Sequence, residues 1–341
     1  MPTLTVFCPY GLSNRLRVLL SGLVLAEASG RQFKMLWPIT PDCAAPFDAL
    51  FDNAWPVETT SAEAVADLPY ISGWFGQMPD LLAATEPDLI VGHPALLTRS
   101  DKYPGHRDLE LRCKALLDQM QPIPEIRGVI DAFREAHFRP AMIGVHIRRG
   151  DLVYQRPDAA GDPHATWHLL DRALKQLPEA GIMLSTDDGA VDPQTGRGRS
   201  DGVRDLFARH YGSRVIWTAP RSLDRRTTEA VQDAVVDLWL LRSTDYIIGT
   251  AASSFSQLAI WGRDVPHQML TAGTAGYRRM EWLARRTGLY ATIRALGRRQ
   301  FGRDLPFPVL VRYYRGSPLR IAQRVMRRVA QGSSHRIEAS D

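Results

Sequence analysis

The chain has 341 residues, 45% of them hydrophobic and 23% charged, with a formal net charge of +5. That length supports two α/β domains with cores of their own. Its three cysteines, Cys8, Cys43 and Cys113, are widely spaced and form no C-x-x-C. This argues against a disulfide framework or a zinc site and for a reducing compartment.

Met1 to Pro9 lacks the basic start and apolar stretch of a signal peptide. Leu4 to Cys8 reads as a first strand. Asn14 to Gly30 reads as a helix, with Leu16, Leu19, Leu20, Leu23 and Ala26 on one face and Gly30 as its stop. The apolar run inside it, Val18 to Ala26, is interrupted by Ser21 and Gly22. It falls far short of the roughly 20 residues of a membrane span. Phe33 to Trp37 reads as a second strand, broken at Pro38. Strand, turn, helix and strand make a βαβ unit, which places Gly11, Asn14 and Arg15 in its first loop, facing the cleft. That loop lacks the G-x-G-x-x-G fingerprint, which disfavours NAD or FAD.

Residues 40 to 115 are rich in Pro, Asp and Ala and carry no ordered signal. Gln121-Pro-Ile-Pro124 reads as a linker between domains. Glu125 to His137 then reads as a helix with Ile126, Val129, Ile130 and Phe133 turned inward. The expected divisions are an N-terminal domain over 1–122, a second domain over 123–276 and an extension over 277–341. There is no internal repeat.

Three strand ends in the second domain carry the chemistry. Met142 to Val145 is apolar and leads into His146, Arg148, Arg149 and Asp151. Ligands of open α/β sheets bind at such edges, and arginine forks match phosphate oxygens; the alternative is a solvated arginine pair. Ile182 to Leu184 leads into Ser185, Thr186, Asp187, Asp188 and Gly189. The adjacent carboxylates could ligate Mg²⁺, cap a helix, or pair with Arg148 and Arg149. Tyr246 to Ile248 leads through Gly249–Ala252 into a helix start with Ser253, Ser254 and Ser256. Those hydroxyls and free N–H groups suit an anion, or make an ordinary N-cap.

In this order the motifs resemble the GDP-fucose-binding half of the α1,6-fucosyltransferase and protein O-fucosyltransferase superfamily, which includes the bacterial nodulation fucosyltransferases. His146-Ile-Arg148-Arg149-Gly-Asp151 is similar to that family's H-x-R-R-x-D string. Ser185-Thr-Asp187-Asp188 resembles its second motif, and Ser253-Ser254-Phe255-Ser256 its third. Asp233 and Asp237 fall where the family carries an aspartate that reads guanine. Tyr10-Gly11-Leu-Ser-Asn14-Arg15-Leu-Arg17 resembles the G-x-x-N-x-x-R opening of the partner domain. The resemblance spans residues 10 to about 260.

The resemblance implies the α/β GT-B architecture, two Rossmann-like lobes facing across a cleft. It also implies metal-independent, inverting transfer of fucose from GDP-fucose, with no cofactor. Arg148, supported by Arg149, would stabilise charge on the departing β-phosphate. His146 would contact the nucleotide or diphosphate, or else satisfy neighbouring backbone. Asp237 would accept from guanine N1–H and N2–H, or else be a helix-surface carboxylate paired with Arg242. Asp188 would orient a neighbour or touch the nucleotide. Ser254, Phe255 and Ser256 would hold phosphates or ribose. Tyr154, Asp158, Asp162 and His164 follow the first motif, but none matches the glutamate some relatives carry there as a base.

From Tyr277 to Asp341 there are fifteen arginines, no lysine and four acids, a net of +11 against +5 for the whole chain. Leu319 to Val329 reads as an amphipathic helix, with Ala322, Val325, Met326 and Val329 apart from Arg320, Arg324, Arg327 and Arg328. It suits docking on an anionic membrane surface, where lipid-linked glycan acceptors lie, or packing on the protein itself. The expected location is cytoplasmic, peripheral to the inner face. Two other classes fit parts of the chain: a non-catalytic GDP-sugar-binding protein and a basic nucleic-acid-binding protein. The second is disfavoured because the basic excess is confined to the tail and no nucleic-acid-binding motif occurs.

Overall fold

Two five-stranded sheets, each parallel throughout, organise the chain. A computed structural model describes residues 1–72, 84–92, 107–150, 160–190, 202–251 and 253–270. Asp151, Tyr154, Asp158, the side chain of His164 and the extension 277–341 lie outside the described residues.

The first sheet contains β1 (Thr3–Phe7), β2 (Gln32–Ile39), β3 (Val57–Ser61), β4 (Ile71–Ser72) and β5 (Asp88–Gly92), in the order β3-β2-β1-β5-β4. The second contains β6 (Met142–Ile147), β7 (Gly181–Thr186), β8 (Val215–Ile216), β9 (Tyr246–Thr250) and β10 (His267–Leu270), in the order β10-β9-β6-β7-β8. In each, the chain starts at the centre, winds to one edge and returns to the other side. That is doubly wound topology, with its switch points beside β1 and between β6 and β9. The described helices are α1 (Leu12–Ala28), α2 (Glu63–Ala66), α3 (Arg107–Asp118), α4 (Pro124–His137), α5 (Pro163–Gln176), α6 (Val203–Tyr211), α7 (Thr228–Arg242) and α8 (Ser254–Ile260). None of them is long and apolar enough to cross a membrane.

Local chemistry sets several boundaries. α1 begins two residues earlier than its periodicity suggests, because extended Gly11 is the N-cap and its carbonyl accepts from Asn14 and Arg15 N–H. Its end follows the expected glycine stop. Gly30 adopts φ +65, Gly30 N–H returns to Glu27 and Arg31 N–H to Ala26, the paired bonds of a Schellman closure. β2 runs through Pro38 instead of breaking there. Its ladder with β1 ends at Phe7↔Leu36, so on that side no partner requires the missing N–H.

Proline starts α4, as suits the first helical turn. Ile126 and Ile130 are buried and Phe133 packs on the core, whereas Val129, at the edge of the stripe, is exposed. The segment before it is not a free linker. Phe51 bridges Pro122, and Ile123 N–H donates to Leu50 at 3.1 Å.

Every residue of β6 and β7 is buried, as befits strands covered on both faces. One apolar cluster joins Leu4 and Val6 of the first sheet to Met183, Val235 and Ile247 of the second half. Both sheets lie within one compact unit, Met1–Ala272. The three cysteines are free and buried. Burial pushes the Cys8 thiol up to about 11, so it stays protonated at neutral pH.

Candidate functional site

A cavity of about 660 Å³ opens where the carboxyl ends of both sheets converge. From the first half it takes Tyr10–Asn14, after β1, and Asp42, after β2. The second half contributes His146 and Arg148 from β6, Ser185–Asp187 from β7, and Ser253–Phe255 from the β9–α8 turn. Arg204 on α6, the loop before α7, and Asp233 and Asp237 on α7 complete the wall.

In the cavity wall, Arg148 Nη1 pairs with Asp187 Oδ2. The other Asp187 oxygen accepts Arg149 N–H at 2.6 Å, and Arg148 N–H donates to Thr250 Oγ1 at 3.0 Å. The guanidinium is thereby fixed at the cavity wall. Beside it, His146 Nδ1 lies 2.6 Å from Ser256 Oγ, and its ring lies 4.8 Å from that of Phe255. Burial lowers the His146 pKa to about 4, so the ring is neutral at neutral pH. Ser256 Oγ also accepts Thr250 N–H at 2.9 Å, which ties α8 to β9. The close approach needs Gly249: a Cβ there would lie 2.7 Å from Ser256 Cβ.

Asp237 on α7 also lines the cavity. Its carboxylate accepts from Ser185 Oγ at 2.7 Å and Thr218 Oγ1 at 2.6 Å. Burial raises its pKa above the usual carboxylate value, an effect opposed by those two hydroxyls. It does not pair with Arg242, which donates instead to Leu258 and Trp261 carbonyls and to Asp118. The surface-pair alternative for Asp237 is therefore overturned: α7 turns Arg242 toward α8 and Asp237 toward the cavity. Asp233 is gripped by Arg221 through Nε at 3.0 Å and Nη2 at 2.7 Å.

Four residues expected at the cleft stand behind its wall. Arg15 is fully buried. It donates to Tyr10 O at 2.6 Å, to Pro38 O and to Thr40 Oγ1 at 2.7 Å, and lies over the Trp37 ring. It anchors Tyr10 and the first turn of α1 to the end of β2. Arg149 bonds Gly161 O at 2.7 Å and lies 3.8 Å from Asp188. Asp188 accepts the first N–H of α6, from Val203, at 3.1 Å. It positions neighbours and does not line the cavity. Ser256 is wholly buried, leaving Ser253, Ser254 and Phe255 on the surface of the cavity.

The fold is similar to that of a fucosyltransferase. A crystal structure of NodZ α-1,6-fucosyltransferase soaked with GDP-fucose matches at 20% identity and a TM-score of 0.51, over 76% of this chain and 92% of that one. The structure of fucosyltransferase NodZ from Bradyrhizobium matches at 19% identity and a TM-score of 0.51, over 76% and 93%. No protein-family model matches the sequence. No curated protein matches it either. The two parallel α/β sheets agree with the fold class that the motifs implied.

Several wall residues carried no sequence signal. Asp42 lies 3.7 Å from Arg225, and Ala44 N–H donates to Arg225 O, so the loop before α7 is pinned to the first half. Asp42 and Arg225 are about 180 positions apart, and nothing in either local sequence announces the pairing. Arg204 in the wall, and Thr218 as a partner of Asp237, are equally silent. Of the base candidates, Asp162 is described but is exposed and does not line the cavity.

Proposed function

We propose that this protein is an inverting glycosyltransferase that moves fucose from GDP-fucose to a hydroxyl of a glycan or lipid-linked acceptor. One observation carries the reading: a single cavity is lined by a fixed arginine, Arg148, and by a half-buried carboxylate, Asp237. A GDP-sugar offers a diphosphate to the first and the N1–H and N2–H of guanine to the second. The volume suits such a ligand, and the fold is similar to that of NodZ, whose crystal was soaked with GDP-fucose.

In the transfer, the acceptor oxygen forms a bond to the anomeric carbon as the bond from that carbon to the β-phosphate oxygen breaks. GDP departs with the electron pair, and the developing charge falls on oxygens that Arg148 can meet without rearranging. Neutral His146 contacts the diphosphate or nucleotide without acting as a base. Ser253, Ser254 and Phe255 hold the phosphates and ribose. Residues 123–276 bind the donor, and residues 1–122, through Gly11 and Asn14, face the acceptor.

The reaction runs without metal. Both Asp187 oxygens are committed to Arg148 and Arg149, which supports arginine in the place an ion would fill. Activity should persist in excess EDTA; loss restored by Mg²⁺ or Mn²⁺ would refute this. The buried free thiols support a reducing, cytoplasmic setting. The arginine-bearing segment Leu319 to Val329 docks the enzyme on an anionic membrane face. Truncation after Pro318 should then abolish salt-sensitive flotation with anionic liposomes and leave GDP affinity intact.

A thermal-shift panel of nucleoside diphosphates, followed by product analysis with GDP-fucose, tests the whole reading. Stabilisation by GDP beyond that of UDP or ADP, and a fucosylated product, are expected. GDP-selective binding with no transfer to any hydroxyl acceptor would reduce the protein to a GDP-sugar-binding module.

A further inference from the structure

Of the large hydrophobic side chains exposed among the described residues, Tyr10 alone lines the cavity, and it is 50% exposed. A lone apolar residue on an open surface is ordinary, but in a concave wall it is contact area for a ligand. Tyr10 also stands on a fixed backbone. Its carbonyl accepts Arg15 Nε at 2.6 Å, and Arg15 is itself buried against Pro38, Thr40 and Trp37. The wall's phenylalanine, Phe255, by contrast already packs on the His146 ring at 4.8 Å.

Asp42 stands beside this aromatic. Its carbonyl oxygen lies 3.6 Å from the place a Cβ on Gly11 would occupy, so its backbone abuts the residue after Tyr10. Its carboxylate lies 3.7 Å from Arg225 Nη1, and both side chains are partly exposed and line the cavity. A carboxylate only accepts hydrogen bonds and a guanidinium only donates them. Side by side they suit two neighbouring hydroxyls, one donating to Asp42 and one accepting from Arg225. A neutral polyhydroxylated ligand uses both groups, whereas an anion is repelled by the first.

We infer that Tyr10, Asp42 and Arg225 form a subsite for a neutral pyranose of the acceptor, with the Tyr10 ring stacked on one face of the sugar. The inference rests on the proposed transferase reading, in which residues 1–122 face the acceptor, and it narrows that acceptor to a glycan. A pyranose has an apolar face of C–H groups, slightly positive, which meets the negative face of an aromatic ring. Its hydroxyls project from the rim, where a carboxylate and a guanidinium can reach them. An acyclic polyol offers the hydroxyls without the face. Tyrosine supplies its contact area at little cost in side-chain freedom, because only two torsions are fixed.

Ligand-observed NMR titration of the full chain saturated with GDP tests the assignment. The probes are the methyl β-glycosides of glucose, galactose and N-acetylglucosamine, with sorbitol as the acyclic control. At least one glycoside should bind the native protein, and sorbitol should not. Tyr10→Ala should weaken that glycoside on the order of tenfold. Its GDP affinity and melting temperature should stay as they are, since the ring is half in water. Tyr10→Phe, which keeps the ring face, should bind the glycoside like the native protein. Binding of GDP with no glycoside bound would overturn the inference and leave the donor reading standing, as would sorbitol binding equally well. Unchanged glycoside affinity in Tyr10→Ala would also overturn it, and so would equal losses of glycoside and GDP. A Tyr10→Phe protein as weak as Tyr10→Ala would assign the contact to the hydroxyl and refute the stacking. Native protein that binds no GDP would remove the donor reading, and this inference with it.

Discussion

Arg148 and Asp187 form an ion pair one step beyond the last paired residues of β6 and β7, Ile147↔Thr186. Strand register thus sets the partner, and the Thr250 and Arg149 hydrogen bonds hold the backbone on either side. A cation already held in place loses little freedom when a diphosphate arrives.

Arg148→Ala should therefore lower kcat about a hundredfold to a thousandfold and weaken GDP. Circular dichroism should show an intact fold, because the strand is held by its ladders. Full turnover by a folded variant would end the assignment.

Asp237→Asn should separate stability from binding. Burial disfavours the Asp237 charge, and neutral asparagine removes that cost in the empty protein. The melting temperature at pH 7 should rise, while GDP affinity falls more than UDP affinity. A lower melting temperature with equal losses for both nucleotides would mark Asp237 as purely structural.

His146 gives a pH signature. Its folded pKa, about 4, lies below the ordinary 6.5, so between these values the unfolded chain holds a proton that the native one excludes. Stability should fall as pH drops from about 6.5 to about 4, by up to about 1.4 kcal/mol per pH unit. His146→Gln should flatten that part of the profile in denaturant titrations. An unchanged slope would assign the acid sensitivity elsewhere.

Gly249→Ala should cost about 1–3 kcal/mol through overpacking. Its Cβ would meet Ser256 Cβ at 2.7 Å, Ser256 Oγ at 2.9 Å and Met269 Sδ at 3.0 Å. Since Ser256 holds His146, GDP affinity should drop as well. An unaltered melting temperature would mean that α8 shifts freely.

Much of the second half was legible in the sequence because its strands are short, apolar and followed at once by their chemistry. Met142 to Arg149, Ile182 to Asp188 and Tyr246 to Ser256 each read as strand then site, and adjacent parallel strands bring those ends to one edge. A linear motif fixes which residues follow a strand. It does not fix which of them face the ligand. The pleat and the turns turned Arg148 and Asp187 into the cavity and Arg149, Asp188 and Ser256 behind it, a choice that depends on partners far along the chain. The same holds in the first half, where Arg15 reads as a cleft cation until Pro38, Thr40 and Trp37 close around it. Asp42 and Arg204 became wall residues, and Thr218 a partner of Asp237, through packing alone. The sequence by itself determined the α/β architecture and the chemistry gathered at the strand ends. Tertiary structure decided which charges are spent on one another and which stay open to a ligand, because burial and pairing are properties of the assembled neighbourhood and not of any single segment.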